Sequence, residues 1–327
     1  MLSVPYSRLI FGLVPWYSFL IVLGAAFAVF LAAKEEKRAG LPKDTVIDFA
    51  LIALPCGIIG ARVYYVIFSW PQFRDDLLSI LRIWEGGIAI YGAVIAGLLT
   101  AWFFCRRKKI SFLSLCDIIA PGLILAQALG RWGNYFNQEA YGLPISNPAL
   151  CFFPFGVQIQ GSSGLEWHMA TFFYESVWNF FVFIFLMIAR RKWFRYRGDV
   201  FCFYAFLYAC GRMIIEDFRM DSLYASSSIR ISQLLSVVGC LFLLIRYVLV
   251  FRTSVKFRHL FTFLPLLVVV ATDLLSCLWL SGLLHTDFPV LTRFLLLAAC
   301  SAVNIISLFI LYGRCSEGEL IYADIKN

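Results

Sequence analysis

Charge is scarce in this chain. Only 15% of its 327 residues are Asp, Glu, Lys or Arg, against about 25% in a soluble domain. That excludes a disordered chain, a coiled coil and an ordinary cytosolic globule. Histidine is almost missing, with only His168, His259 and His285, far apart in sequence. A His-Glu-x-x-His zinc motif is therefore excluded. None of the ten cysteines forms a Cys-x-x-Cys pair. Most lie in apolar runs and read as small packing residues, so neither a disulfide framework nor a thiolate metal site is expected. No segment repeats at a fixed period.

Apolar residues fill the space that charge leaves. They make up 61% of the chain, aromatics alone 17%, and the mean hydropathy is +0.81. This is the composition of an all-α integral membrane protein with many spans. Nine apolar runs are long enough, at about 10–33, 46–69, 87–105, 112–130, 169–189, 199–218, 230–250, 260–281 and 289–312. The first lacks a basic lead-in and is followed by Lys34, Lys37 and Arg38. It is expected to be a retained helix, not a cleaved signal.

The net charge of +8 could suggest nucleic acid, but its distribution argues otherwise. Basic residues crowd alternate connections, those holding Lys34 to Lys43, Arg106 to Lys109, Arg190 to Arg197, and Arg246 to Arg258. The basic side is expected to be cytoplasmic, with the N-terminus outside and the C-terminus inside. The charge then anchors the protein against anionic lipid. The longest polar connection, about 131–168, falls on the outer side and is rich in Pro and Gly, which predicts turns or a small extramembrane head.

Polar residues next to spans are costly and need a reason. The richest stretch runs from Gly130 to Gly142 and holds Arg131, Asn134, Asn137, Gln138 and Glu139. It reads either as a hydrogen-bonded interfacial loop or as a binding loop in which Arg131 grips phosphate through two parallel bonds. A second stretch places Tyr208, Arg212 and Glu216 one helical turn apart, followed by Arg219. It reads either as a structural ion pair or as a second cation facing phosphate, held by Glu216. Gly86-Gly87 with Tyr91 reads either as a thin-walled entry at the start of a span or as helix packing through small residues. Arg62 with Tyr64 and Tyr65, Tyr174-Glu175 near Asn179, and Asp117 are expected to make buried structural hydrogen bonds. Trp16-Tyr17 reads as an aromatic belt pair. Arg131 and Arg212, with Glu139 and Glu216, could line one chamber open to lipid, suited to an anionic head group.

Together these stretches resemble the bacterial prolipoprotein diacylglyceryl transferases. The family signature G-R-x-G-N-[FY]-x-N-x-E-x-x-G is complete at Gly130 to Gly142. Trp84-Glu85-Gly86-Gly87, Gly60-Ala61-Arg62, Tyr174-Glu175-Ser176, and Gly211-Arg212 through Arg219 follow in the family's order. The resemblance covers about residues 5–250. It implies a seven-span core with a small periplasmic head at about 131–168. Residues 251–327 would add two transmembrane helices and a cytoplasmic tail. The implied place is the bacterial inner membrane, with the active site toward the outer face.

The implied reaction moves the diacylglyceryl group of phosphatidylglycerol to the lipobox cysteine thiol of a preprolipoprotein, with glycerol phosphate leaving. The implied partners are phosphatidylglycerol, prolipoprotein signal peptides and membrane lipid, without nucleic acid. The reaction requires no metal and no organic cofactor. By matched position, Arg131 and Arg212 would bind and neutralise the phosphate. Asn134, Asn137 and Glu139 would shape the head-group site, with Gly142 in its loop and Glu216 orienting Arg212. Tyr208 and Tyr17 match tyrosines that the family uses. Many members carry His where Tyr91 stands. Neutral Tyr, with pKa about 10, is a poor base near neutral pH, so Tyr91 would donate a hydrogen bond and the proton acceptor is unassigned. The family's Pro after His is Met169 here, which weakens any role for His168. A transporter would instead place charges at mid-membrane within inverted repeats. A lipid-binding relative without turnover is favoured by Tyr91 alone.

Overall fold

The computed structural model describes residues 7–161, 164–194, 196–220 and 290–326, with single positions at 239, 268 and 271. It is mostly helical. The described helices are α1 (Trp16–Ala33), α2 (Thr45–Phe68), α3 (Ile90–Lys108), α4 (Phe112–Asn137), α5 (Thr171–Lys192), α6 (Asp199–Glu216) and α7 (Val290–Lys326). The first five are long and apolar enough to cross a membrane. They coincide with the first five apolar runs. The sixth run is a helix that carries Asp199, Arg212 and Glu216. The ninth lies within α7, whose apolar part is Phe294–Ile310. The expected spans at 230–250 and 260–281 fall outside the described residues.

Two boundaries differ from the sequence expectation. The first helix begins at Trp16, not near residue 10. Ahead of it, β1 (Leu9–Ile10) pairs antiparallel with β2 (Val14–Pro15), and the turn between them takes Phe11 and Gly12 through positive φ. The fourth helix runs on to Asn137, so Gly130 to Asn137 is helix and not loop. Within a helix, glycine costs only about 1 kcal/mol, and packing outweighs that. The chain leaves the helix where Gln138 and Ala140 adopt positive φ.

Contact patterns divide the chain into two compact units. One comprises Leu23–Ala126 and Met187–Phe201. Its apolar core includes Ala32, Val46, Phe104, Cys105, Leu115 and Ile118. Here α2 and α3 touch through glycine, since a Cβ on Gly92 would lie 2.3 Å from the Gly60 carbonyl oxygen. Small-residue packing is the physical reason for these glycines. Arg62, on α2, reaches into the α2–α3 connection. It donates to five backbone carbonyls, those of Ser79, Ile80, Arg82, Gly86 and Gly87. That matches the full donor complement of a guanidinium. Asp117 accepts from the backbone N–H groups of Gly198 and Phe201, capping the start of α6. The structural readings of Arg62 and Asp117 therefore hold.

The other unit comprises Met1–Val22, Gln127–Leu186 and Cys202–Asn327. The α4–α5 connection in it carries an antiparallel hairpin, β3 (Gly156–Gly161) with β4 (Gly164–Met169), in the register Val157↔His168. Val157, Ile159, Ala170 and Phe172 form its core with Tyr135. Helix α7 packs along α6. Phe218 meets Phe294 at 5.7 Å between ring centroids, and Phe203 meets Phe309 at 5.4 Å. Rising numbers from α6 into the turn after it pair with falling numbers on α7, so the two are antiparallel.

Candidate active site

The site lies within the second of these units, on α4, α5, α6 and the chain just after them. Helix α5 brings Glu175 into its second turn, where only 3% of the side chain is exposed. Glu175 Oε1 lies 2.7 Å from Arg131 Nη2, and its Oε2 lies 2.9 Å from Arg212 Nη1. Arg219 Nη1 is 4.0 Å from the same Oε2. Arg212 is also paired with Glu216 through Nη2. Three guanidiniums thus face two carboxylates, leaving one positive charge in excess among these five side chains. A buried carboxylate needs such partners, because stripping its water costs several kcal/mol.

Helical spacing explains why these residues meet. Tyr208, Arg212 and Glu216 recur every four residues and share one face of α6. Tyr208 donates to Glu175 Oε1 at 3.5 Å, on the carboxylate oxygen that Arg131 also contacts. Helix–helix register is held from both sides of Glu175. Trp132 donates to Ser176 Oγ at 3.1 Å, and Ser176 donates to the Ala128 carbonyl at 2.8 Å. Trp178 donates to the Leu207 carbonyl at 2.9 Å. Its indole fits because residue 211 is glycine; a Cβ there would lie 2.2 Å from Trp178 Nε1.

A second polar group forms at the end of α4. Glu139 Oε1 accepts from Asn134 Nδ2 at 3.0 Å and from Asn137 Nδ2 at 3.2 Å. Tyr17 packs on Gly133, where a Cβ would lie 2.5 Å from the tyrosine ring. Tyr17 is within electrostatic reach of both Glu139 and Arg131. Trp16 stacks on Phe136 at 4.8 Å. Both aromatics of the expected belt pair therefore pack on α4.

Gly142 lies at a backbone seam. Its N–H donates to the Met169 carbonyl at 2.9 Å, and it bridges to Arg219. Next to it, the Leu143 N–H donates to the Phe218 carbonyl at 2.9 Å. His168 Nδ1 donates to the Gly142 carbonyl at 2.9 Å, so this histidine holds the loop.

Arg131, Arg212, Tyr208 and Glu216 are thus brought together as the spacing suggested. Glu139 is not paired with either arginine; it gathers the two asparagines instead. Tyr91 belongs to the other unit, in the first turn of α3, with its ring 6.3 Å from that of Tyr64. By sequence alone, Glu175 is expected to make a structural hydrogen bond, and Arg219 stands out only as part of a motif. Both belong to the central cluster. The available signal was an acid inside an otherwise apolar span, which is rare without a partner.

Fold and site define a class: a multi-pass helical membrane protein with buried cations gathered on one carboxylate. The prolipoprotein diacylglyceryl transferase family profile matches residues 8–249. The chain is 44% identical over 251 residues to the phosphatidylglycerol–prolipoprotein diacylglyceryl transferase of Oceanobacillus iheyensis, covering 75% of this chain and 86% of that one. The Streptococcus suis protein of that name is 44% identical over 240 residues, covering 73% and 89%. That of Halalkalibacterium halodurans is 41% identical over 249 residues, covering 73% and 86%. The chain belongs to the prolipoprotein diacylglyceryl transferase family.

Proposed function

We propose that this chain transfers the sn-1,2-diacylglyceryl group of phosphatidylglycerol to the lipobox cysteine thiol of prolipoproteins. A carbon–sulfur bond forms, the bond from the glyceryl carbon to the phosphate oxygen breaks, and glycerol phosphate leaves. The observation that carries this reading is the pairing of Arg131 and Arg212 on one buried carboxylate, Glu175.

Negative charge grows on the phosphate oxygens as the bond breaks, so fixed cations aimed there lower the barrier. A guanidinium has five N–H donors, so pairing with Glu175 leaves Arg131 and Arg212 capacity for phosphate. Glu216 orients Arg212. Arg219 adds a third positive charge. Asn134, Asn137, Glu139 and Tyr17 shape the head-group site, and Gly142 holds its loop. Tyr208 steadies Arg131 and Glu175. The nucleophile is the substrate thiolate, which an excess of positive charge favours. Tyr91 donates a hydrogen bond. The reaction calls on no metal and no organic cofactor.

The topology proposed with it is a seven-span core over residues 1–250, two further spans over 251–327, an outward N-terminus and a cytoplasmic C-terminus. The head, confined to about 138–168 by the end of α4 and carrying the β3–β4 hairpin, faces the periplasm, as does the active site.

The test is a transfer assay with purified protein, phosphatidylglycerol and a synthetic lipobox peptide, read by mass spectrometry. The expected product carries the added diacylglyceryl mass and is absent with a Cys→Ser peptide. No product from a folded protein that still binds phosphatidylglycerol would overturn turnover and leave a lipid-binding protein.

A further inference from the structure

The grouping of one glutamate with three arginines occurs twice among the described residues. Glu35, just after α1, pairs with Arg191 Nη2, with Arg190 Nη2 at 3.6 Å and with Arg38 Nη1 at 3.7 Å. All four residues lie within the unit of Leu23–Ala126 and Met187–Phe201. The neighbouring acids are engaged elsewhere. Glu36 accepts from the backbone N–H groups of Asp44 and Val46 at the start of α2. Asp48 pairs with Lys108 at 2.8 Å. Three guanidiniums therefore share one carboxylate, with two positive charges in excess.

Burial makes this more than a basic surface. The side chain of Glu35 is 12% exposed and that of Arg190 only 9%. Arg190 Nε is buried and finds no acceptor among the described residues. Arg191, at 37%, and Arg38, at 66%, keep open edges. Charges that only orient a membrane protein work fully solvated and need no such grouping. A purely structural ion pair works best balanced and fully hydrogen-bonded. An unpaired buried donor beside surplus positive charge calls for an anion with several acceptor oxygens. Phosphate has that geometry, because its oxygens match the guanidinium fork.

We propose that Arg38, Arg190 and Arg191, organised by Glu35, bind a phosphate group carried on the head group of an anionic lipid. Lipid is the favoured source because the cluster stands at helix ends. Glu35 follows the apolar run of α1, and Arg190 and Arg191 close the apolar run of α5. Helix ends of that kind lie at head-group level.

The test uses the full chain in neutral detergent, with native mass spectrometry to count bound lipid. The probes are phosphatidic acid, inorganic phosphate and, as control, zwitterionic phosphatidylcholine. Arg190→Gln/Arg191→Gln is expected to lose one tightly bound phosphatidic acid while keeping transferase activity in lipid-poor micelles. Glu35→Gln separates ligand site from latch. Removing the carboxylate is expected to tighten phosphatidic acid binding by about three- to fivefold, the size of a partly exposed ion-pair effect. A mere latch would lose thermal stability and gain no affinity. If Glu35→Gln does not fold, the single exposed change Arg191→Gln is expected to weaken binding by a similar factor. Unchanged lipid counts in the double variant would overturn the site. Arginine-dependent binding of inorganic phosphate as tight as that of the lipid would overturn the lipid assignment.

Discussion

Arg131 of α4 and Glu175 of α5 are joined by a 2.7 Å contact between Nη2 and Oε1. They are far apart in sequence, and the pair fixes where α4 presents its cation. The same carboxylate holds Arg212 at 2.9 Å, so one side chain sets the spacing of two proposed phosphate ligands.

Glu175→Gln tests that dependence. It leaves Arg131, Arg212 and Arg219 without their shared countercharge. Breaking a buried pair from one side costs about 3–5 kcal/mol. A large drop in Tm, read by thermal unfolding in detergent, should accompany loss of transfer. A variant with unchanged Tm and activity would remove Glu175 from the centre of the site.

Arg131→Lys keeps the charge and loses the fork. A point charge cannot bond phosphate in two parallel contacts while still pairing with Glu175. Transfer should fall by about 100-fold or more, the usual cost of losing one donor to developing charge. Lysine with full activity would refute the phosphate clamp.

Gly142→Ala adds a methyl group where there is no room. Its Cβ would lie 2.9 Å from the Phe218 carbonyl oxygen and 2.9 Å from Met169 Cβ. Backbone cannot yield as a flexible side chain can. The seam to Arg219 should open, with activity lost before the helices unfold. Circular dichroism beside the transfer assay separates the two.

Trp178→Phe removes the hydrogen bond to the Leu207 carbonyl, a loss of about 1 kcal/mol. It should lower Tm by a few degrees and reduce transfer modestly, because the spacing of Glu175 and Arg212 loosens. Gly211→Ala should be far worse, with a Cβ 2.2 Å from the indole nitrogen. Similar Tm values for the two variants would show that this contact does not set the helix spacing.

Tyr91→Phe removes only a hydroxyl. If Tyr91 donates a hydrogen bond during transfer, kcat should fall while Tm holds. Equal kcat would confine Tyr91 to packing beside Tyr64.

The sequence by itself determined the membrane character and five of the spanning helices, because burial in lipid needs only length and apolar side chains. It also carried the stretch from Gly130 to Gly142, whose residue types and spacing survive any tertiary arrangement. Periodicity further placed Tyr208, Arg212 and Glu216 on one face of α6, a relation internal to a single helix. Only the tertiary structure decided that Glu175 is the shared partner of Arg131, Arg212 and Arg219, while Glu139 gathers asparagines. It also decided that α4 continues to Asn137, where packing of Tyr17 and Trp16 outweighs the local cost of glycine. Which charges meet across helices depends on the rotation and register of separate segments. Those are set by contacts such as Trp178 on Gly211, between residues with no relation along the chain.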